Sequence, residues 1–169
     1  MNFENILAQM QANSRRIAAL VADVEAQQAR WKPTPETWSI LEVLGHLREE
    51  ERMDFRVRLE LILHHPGAAW PPIDPAGWVT AHAYNQGDLG ETLDDYLSER
   101  QKSLDWLRGL VDPDWDKSET APWGSISAGD MLASWAGHDL LHMRQLVELL
   151  RAYTVQQADA YSPDYAGEW

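Results

Sequence analysis

Apolar positions recur at helical spacing in four long segments of this chain, and no stretch alternates as a half-buried strand would. The first segment spans about 2–30, with Phe3, Ile6, Met10, Ile17, Leu20 and Val24 along one stripe. The prolines of "WKPTPETWS" end it, and Thr37 or Ser39 can cap the next helix. The second segment covers 39–63 and stops at "HHPG"; the third covers 89–110 and stops at "VDPDW". The fourth covers 127–153. Four amphipathic helices of this length predict an all-α chain folded as a four-helix bundle over 1–153. Residues 154–169 are left as a tail, either an ordered strap or a frayed end.

The connection 65–88 is long and rich in Pro, Gly and aromatic residues. Four of the nine tryptophans, Trp70, Trp78, Trp115 and Trp123, fall in the two long loops. Those loops are therefore expected to pack, either as lids on the ends of the core or as walls of a pocket.

Charge narrows the function classes. With 14 Lys plus Arg against 27 Asp plus Glu, the net charge is −13, which opposes docking on nucleic acid or an anionic membrane surface. No cysteine is present, so disulfides and thiolate metal sites are excluded, and any thiol chemistry must use a thiol the substrate brings. The N-terminal stretch lacks a signal-peptide pattern and no segment has the apolar length of a membrane span, so a cytoplasmic protein is expected.

The fourth helix carries the candidate chemistry. Met131, Trp135, His138, His142, Gln145 and Leu149 are spaced by four, three, four, three and four, the seam that faces the middle of a bundle. Two imidazoles one turn apart on that seam suit chelation of one metal ion; the alternative is a pair of hydrogen-bonded core histidines. On the second helix a side stripe reads Val43, His46, Glu50, Met53, Val57, which puts a third imidazole on an inward-leaning face. Three histidines from two helices leave coordination positions open, the pattern of a reactive site rather than a structural one.

Register supports the grouping. At about 1.5 Å per residue, His46 lies roughly 10 Å from the start of its helix, and His142 and His138 lie roughly 16 and 22 Å from the end of theirs. Antiparallel second and fourth helices bring the rings to similar heights. Helices two and three then run parallel, joined by a crossover through 65–88, in an up-down-down-up order. A small shift of the helix ends would also admit the parallel arrangement.

Three further residues are singled out. Glu50, one turn from His46, is either an orienter or proton acceptor for the site, or an ordinary solvated acid in the run "EEE". Arg100 interrupts the apolar seam of the third helix, so its guanidinium either pairs with an internal acid or recognises a substrate carboxylate. Gln145, one turn past His142, can hydrogen-bond a bound ligand. Asn13 breaks the first helix's seam as a register-setting polar residue. His64 and His65 sit at a helix end, and His82 lies in the long loop as a surface residue.

At "RWKPTPETWSILEVLGHL" and "GHDLLHMRQL" the sequence resembles the DinB/YfiT-like superfamily of metalloenzymes, with order and distances matching over roughly 2–150. The resemblance implies the crossover bundle, a zinc- or nickel-type divalent ion on His46, His138 and His142, and a homodimer. It also implies, for some members, thiol-dependent transfer or isomerisation with a low-molecular-weight thiol.

The expectation is thus a metal-dependent enzyme, a thiol-dependent S-transferase or a hydrolase, acting on a small molecule. Against it stands a non-catalytic metal-binding bundle serving as a binding or stress-related module, whose ion would be closed off by Glu50 or a loop acid. "HDLLH" departs from the zincin H-E-x-x-H by placing Asp139 where the glutamate belongs, with no third histidine downstream. A di-iron bundle would need two E-x-x-H motifs, and only "DLLH" comes near one.

Overall fold

The computed structural model describes residues 2–121 and 124–169. The first expected helix forms as α1, Phe3–Val21, capped by Asn2, and a separate turn of helix, α2, Ala26–Arg30. The break falls earlier than the stripe predicts because the chain turns out of helix before Glu25, whose backbone is extended. That turn buries Ala29 and lets the Arg30 guanidinium reach the Gly87 carbonyl at 2.5 Å.

The second helix is α3, Ile40–Glu49, and α4, Phe55–His64, joined without a gap by a π-helical turn, Glu50–Asp54. Ser39 and Glu42 close a capping box at its start. A short α5, Pro75–Ala81, lies within the crossover. The third long helix is α6, Leu89–Arg108, started by Asp88, and the fourth is α7, Ala128–Gln157, started by a Ser127–Asp130 capping box. α7 runs past the expected end at 153.

Directions can be read from side-chain pairs. Arg48 meets Asp95, Arg52 meets Glu99 and Arg56 meets Ser103, so partner numbers rise together and α3–α4 runs parallel to α6. His46 meets His138, whereas Phe55 farther along stacks on Trp135, so α7 runs antiparallel to α3–α4. Asn13 of α1 bonds Asp139 of α7, and α1 packs Leu7 and Met10 near Met131 and Ile17 and Val21 near Leu146, which makes those two helices parallel. The order is up-down-down-up, the one of the two arrangements that the register of the histidines favours.

Two strands depart from the all-helical expectation. β1, Ser118–Ala121, pairs antiparallel with β2, Gly124–Ser127, in a hairpin before α7. Strands this short show no alternation that a sequence reading could detect. Trp123, one of the loop tryptophans, lies outside the described residues. Trp115 packs against Phe3 with ring centroids 5.0 Å apart, and Trp70 lies 4.9 Å beneath the Arg58 guanidinium, so both act as lids on one end of the core. Trp78 stacks instead on His82. The tail turns back far enough to lay Trp169 under Arg151. Among the described residues no helix is long and apolar enough to cross a membrane.

The core is in two pieces. One apolar cluster includes Leu7, Met10, Phe55, Leu59, Leu104 and Trp135; the other includes Ile17, Leu44, Leu47, Tyr96, Leu146 and Leu149. Between them lies a belt of buried polar side chains to which all four helices contribute, Asn13, Glu51, Arg100 and Asp139 among them.

Candidate metal centre

The π-turn decides which residues of the second helix face inward. An uninterrupted α-helix would continue the stripe from His46 and Glu50 to Met53 and Val57. The wider turn adds one residue, so the buried positions become Asp54 and Arg58, and Met53 is 47% exposed. The expectation for Met53 and Val57 is corrected accordingly. Glu50 and Glu51 are both buried, so the solvated-acid alternative for Glu50 is also set aside.

At this level the three histidines converge. His46 Nε2 lies 3.3 Å from His138 Nε2, which lies 3.1 Å from His142 Nε2. An ion bound at about 2.0–2.1 Å from each nitrogen in a tetrahedral arrangement spaces neighbouring nitrogens by roughly 3.3 Å. Among the described residues, no carboxylate joins the group that could share an ion with them.

The second nitrogens fix the rings. His142 Nδ1 is 2.8 Å from Gln145 Oε1, an acceptor, which places the ring proton on Nδ1 and a lone pair on Nε2. His46 Nδ1 faces the Glu50 carboxyl at 3.6 Å, and neither atom has a closer partner among the described residues. Burial, and then the charge of His142, holds His46 down to about 3; burial and the two neighbouring histidines hold His138 down to about 2. His142 is lowered by burial as well. Neutral imidazoles are what a divalent ion needs, so protons do not compete for the nitrogens near neutral pH.

Beneath the triad the buried carboxyls outnumber their cations. Glu51 and Asp139 share Arg100, and Glu50 and Asp54 share Arg58, so four carboxyls face two guanidiniums. Glu50 is pushed up to about 8, first by burial and then by the adjacent Asp54 carboxyl. The donor set, its spacing and this shortage of positive charge all fit a divalent cation on His46, His138 and His142.

Arg100 is committed elsewhere. It is 2% exposed, and its nitrogens hold Asp139 at 2.8 and 2.6 Å and Glu51 at 2.6 Å. Glu51 Oε1 also accepts from Trp135 Nε1 at 2.6 Å, and Asn13 Nδ2 donates to Asp139 at 3.2 Å. The expectation that Arg100 receives a substrate carboxylate gives way to the internal ion pair, since no face of the guanidinium is left open. Sequence reading misses Glu51, Asp54 and Asp139 as members of this network. Asp139 has a signal in its place beside His138; the other two are buried by the π-turn, which no motif announces.

The triad borders a cleft of about 590 Å³ through His142, the one of its three histidines that lines it. Trp38 and Thr37, from the segment that leads into α3, form one wall; His142, Gln145 and Leu149 of α7 form the other. The Trp38 ring lies nearly parallel to that of His142, at 9° and 6.4 Å between centroids. Glu50 and Arg100 do not line it; Gln145 does.

A four-helix bundle with a crossover connection and an open three-histidine centre is the class that fold and site define. The sequence model of the DinB superfamily matches residues 9–146, and the chain belongs to that superfamily. In structure it is similar to YfiT from Bacillus subtilis, described as a probable metal-dependent hydrolase with an unusual four-helix bundle topology, with a TM-score of 0.79 and 18% identity. That match covers 90% of this chain and 87% of YfiT. No curated protein matches the chain in sequence.

Proposed function

We propose that this protein is a metal-dependent enzyme acting on a small molecule, a hydrolase in the first instance, with a zinc- or nickel-type ion on His46, His138 and His142. The observation that carries the reading is the convergence of three Nε2 atoms, with successive spacings of 3.3 and 3.1 Å, beside a cleft that His142 lines and that is large enough for a small substrate. No fourth side chain among the described residues closes the group, which favours catalysis over a structural ion. The description of YfiT as a probable hydrolase supports putting hydrolysis first.

A divalent ion held there supplies Lewis acidity where a carbonyl or phosphoryl oxygen would dock. The chain's own residues do the rest. Gln145 accepts a hydrogen bond from Nδ1 of His142 and so keeps that ring's lone pair directed inward. Glu50 stands behind His46 rather than in the cleft, so we assign it a positioning role on that ring, not proton transfer with substrate. Trp38 shields one side of the reacting centre from water.

Thiol transfer differs only in the nucleophile, and with no cysteine in the chain the thiol would come as a second substrate. A homodimer working in the cytoplasm is part of the same proposal. The test is metal analysis of tag-free protein, then chromogenic ester, amide and phosphoester assays and thiol-transfer assays before and after chelation. About one transition-metal ion per chain, and turnover that chelation abolishes, is the expected result. Absence of a bound transition metal would sink the proposal, and a metal-loaded protein that turns over none of these would leave the non-catalytic binding module in its place.

A further inference from the structure

The walls of the cleft carry charge of one sign. Besides its aromatic and apolar surface it is lined by two ionisable groups outside the triad, Glu36 on the segment before α3 and Glu148 on α7. No cation near in sequence lines the cleft, and Arg151 lies over the Trp169 ring at 4.9 Å. Lys32 is held on Glu42 at 3.0 Å, and Arg30 on the carbonyls of Ala26 and Gly87. Arg144 touches Glu148 at 3.3 Å but lines the neighbouring groove, beside Met143 and Val147, and its side chain is 73% exposed. Glu36 has no ion pair among the described residues.

We propose that the cleft takes a small molecule with a positively charged, ammonium-type group on an apolar body, its cation held by Glu36, Glu148 and the face of Trp38. This assignment rests on the reading of the triad as the reacting centre, and it names the class of substrate that centre serves. The cation lies at the outer end of the substrate and the reacting group at the histidines.

Three physical terms favour that polarity. An exposed carboxylate pair attracts a monocation, and an indole face accepts one through its quadrupole. Pro33, Leu149 and Ala152 give the body of the molecule apolar contact. The net charge of −13 raises the local concentration of cations and lowers that of anions around the whole protein. A substrate whose outer end is a carboxylate meets Glu36 and Glu148 with no lysine or arginine lining the cleft, and only Glu148 has a cationic partner, Arg144 at 3.3 Å. Carboxylate-rich low-molecular-weight thiols are therefore poor occupants of this cleft.

The test uses three probes of similar size that ligate metals weakly: benzyltrimethylammonium, benzyl alcohol and benzenesulfonate. Each is titrated calorimetrically into the protein as isolated, and the bound metal of the same sample is measured. The expected result is that the cation binds about tenfold more tightly than the anion at low salt, the size that two exposed ion pairs supply together. The preference should shrink as salt rises and should vanish in the E36Q/E148Q variant, whose circular dichroism and Tm should match the parent because both residues lie in solvent. Equal or tighter binding of the sulfonate, no binding of any probe, or a preference that survives E36Q/E148Q would overturn the assignment. The two readings fail separately: a metal-loaded protein without cation preference overturns only the substrate class, and a metal-free protein with the preference overturns only the metal centre.

Discussion

Arg100 reaches from α6 to hold Asp139 of α7 with two nitrogens, at 2.8 and 2.6 Å, and Asp139 directly follows His138 of the histidine triad. Through Glu51 the same guanidinium is tied to the π-turn that comes after His46. One side chain therefore links the two helices whose histidines must meet. Breaking it by Arg100→Met would strand two buried carboxylates and should cost about 3–5 kcal/mol of stability, read from urea unfolding. Arg100→Lys should restore only part of that, because an ammonium cannot reproduce the forked contact. A loss below about 1 kcal/mol for the methionine variant would show that the link carries little energy.

His142→Ala removes one donor and the ring that Gln145 orients. Tag-free variant protein should lose its bound transition metal. The parent should gain about 4 kcal/mol of stability at a free-ion concentration about a thousand times its dissociation constant, and the variant should gain almost none. Thermal melts with and without added zinc or nickel measure both.

The metal-free protein should become more stable as pH rises from about 4.5 to 6.5. His46 and His138 are held down to about 3 and 2, so across this range the unfolded chain binds protons that the folded chain refuses. Glu50, pushed up to about 8, works the other way, since the folded chain keeps a proton there that the unfolded chain releases above its ordinary value. His142 is lowered too and Asp54 is raised, so three histidines against two carboxyls leave a net rise on the order of 1 kcal/mol per pH unit. Above about 6.5 the raised carboxyls, Glu50 foremost, dominate, and stability should fall toward about pH 8. Glu50→Gln should flatten that upper limb, as chemical denaturation across pH would register.

Two glycines precede histidines of the triad and predict opposite effects. A Cβ on Gly45 would lie 2.6 Å from the Tyr84 ring, so Gly45→Ala must displace that ring and should cost about 1–3 kcal/mol. Gly137 faces open space inside α7, and Gly137→Ala should stabilise by about 0.5–1 kcal/mol through helix propensity alone. Paired urea titrations compare the two.

The bundle, its crossover and the histidine grouping are legible because they depend on periodicity and register, which the sequence states directly. His138 and His142 are one turn apart on a seam, and His46 falls at the matching height on an antiparallel partner. The partners of Arg100 are not legible. An inward guanidinium demands an anion, but which of many acids answers depends on a π-turn that shifts burial by one residue, from Met53 to Asp54. That turn lets one helix bury both His46 and Phe55, and no motif in "EERMD" announces it. The cleft is legible only in part: Gln145 is expected at a ligand, but the wall formed by Trp38 comes from a loop whose path no stripe describes.

The π-turn also sets a phase between the two ends of one helix. Each residue of an α-helix advances the side-chain direction by about 100°, so the added residue lets the N-terminal half aim His46 at His138 and His142 while the C-terminal half aims Phe55 and Leu59 at the far core. Deleting any one residue from 50–54 would close the helix into regular turns and swing one half against the other by that angle. The bundle could then satisfy its histidine triad or its distal core, but not both, so the length of this five-residue turn is as much a specification of the triad as the histidines are.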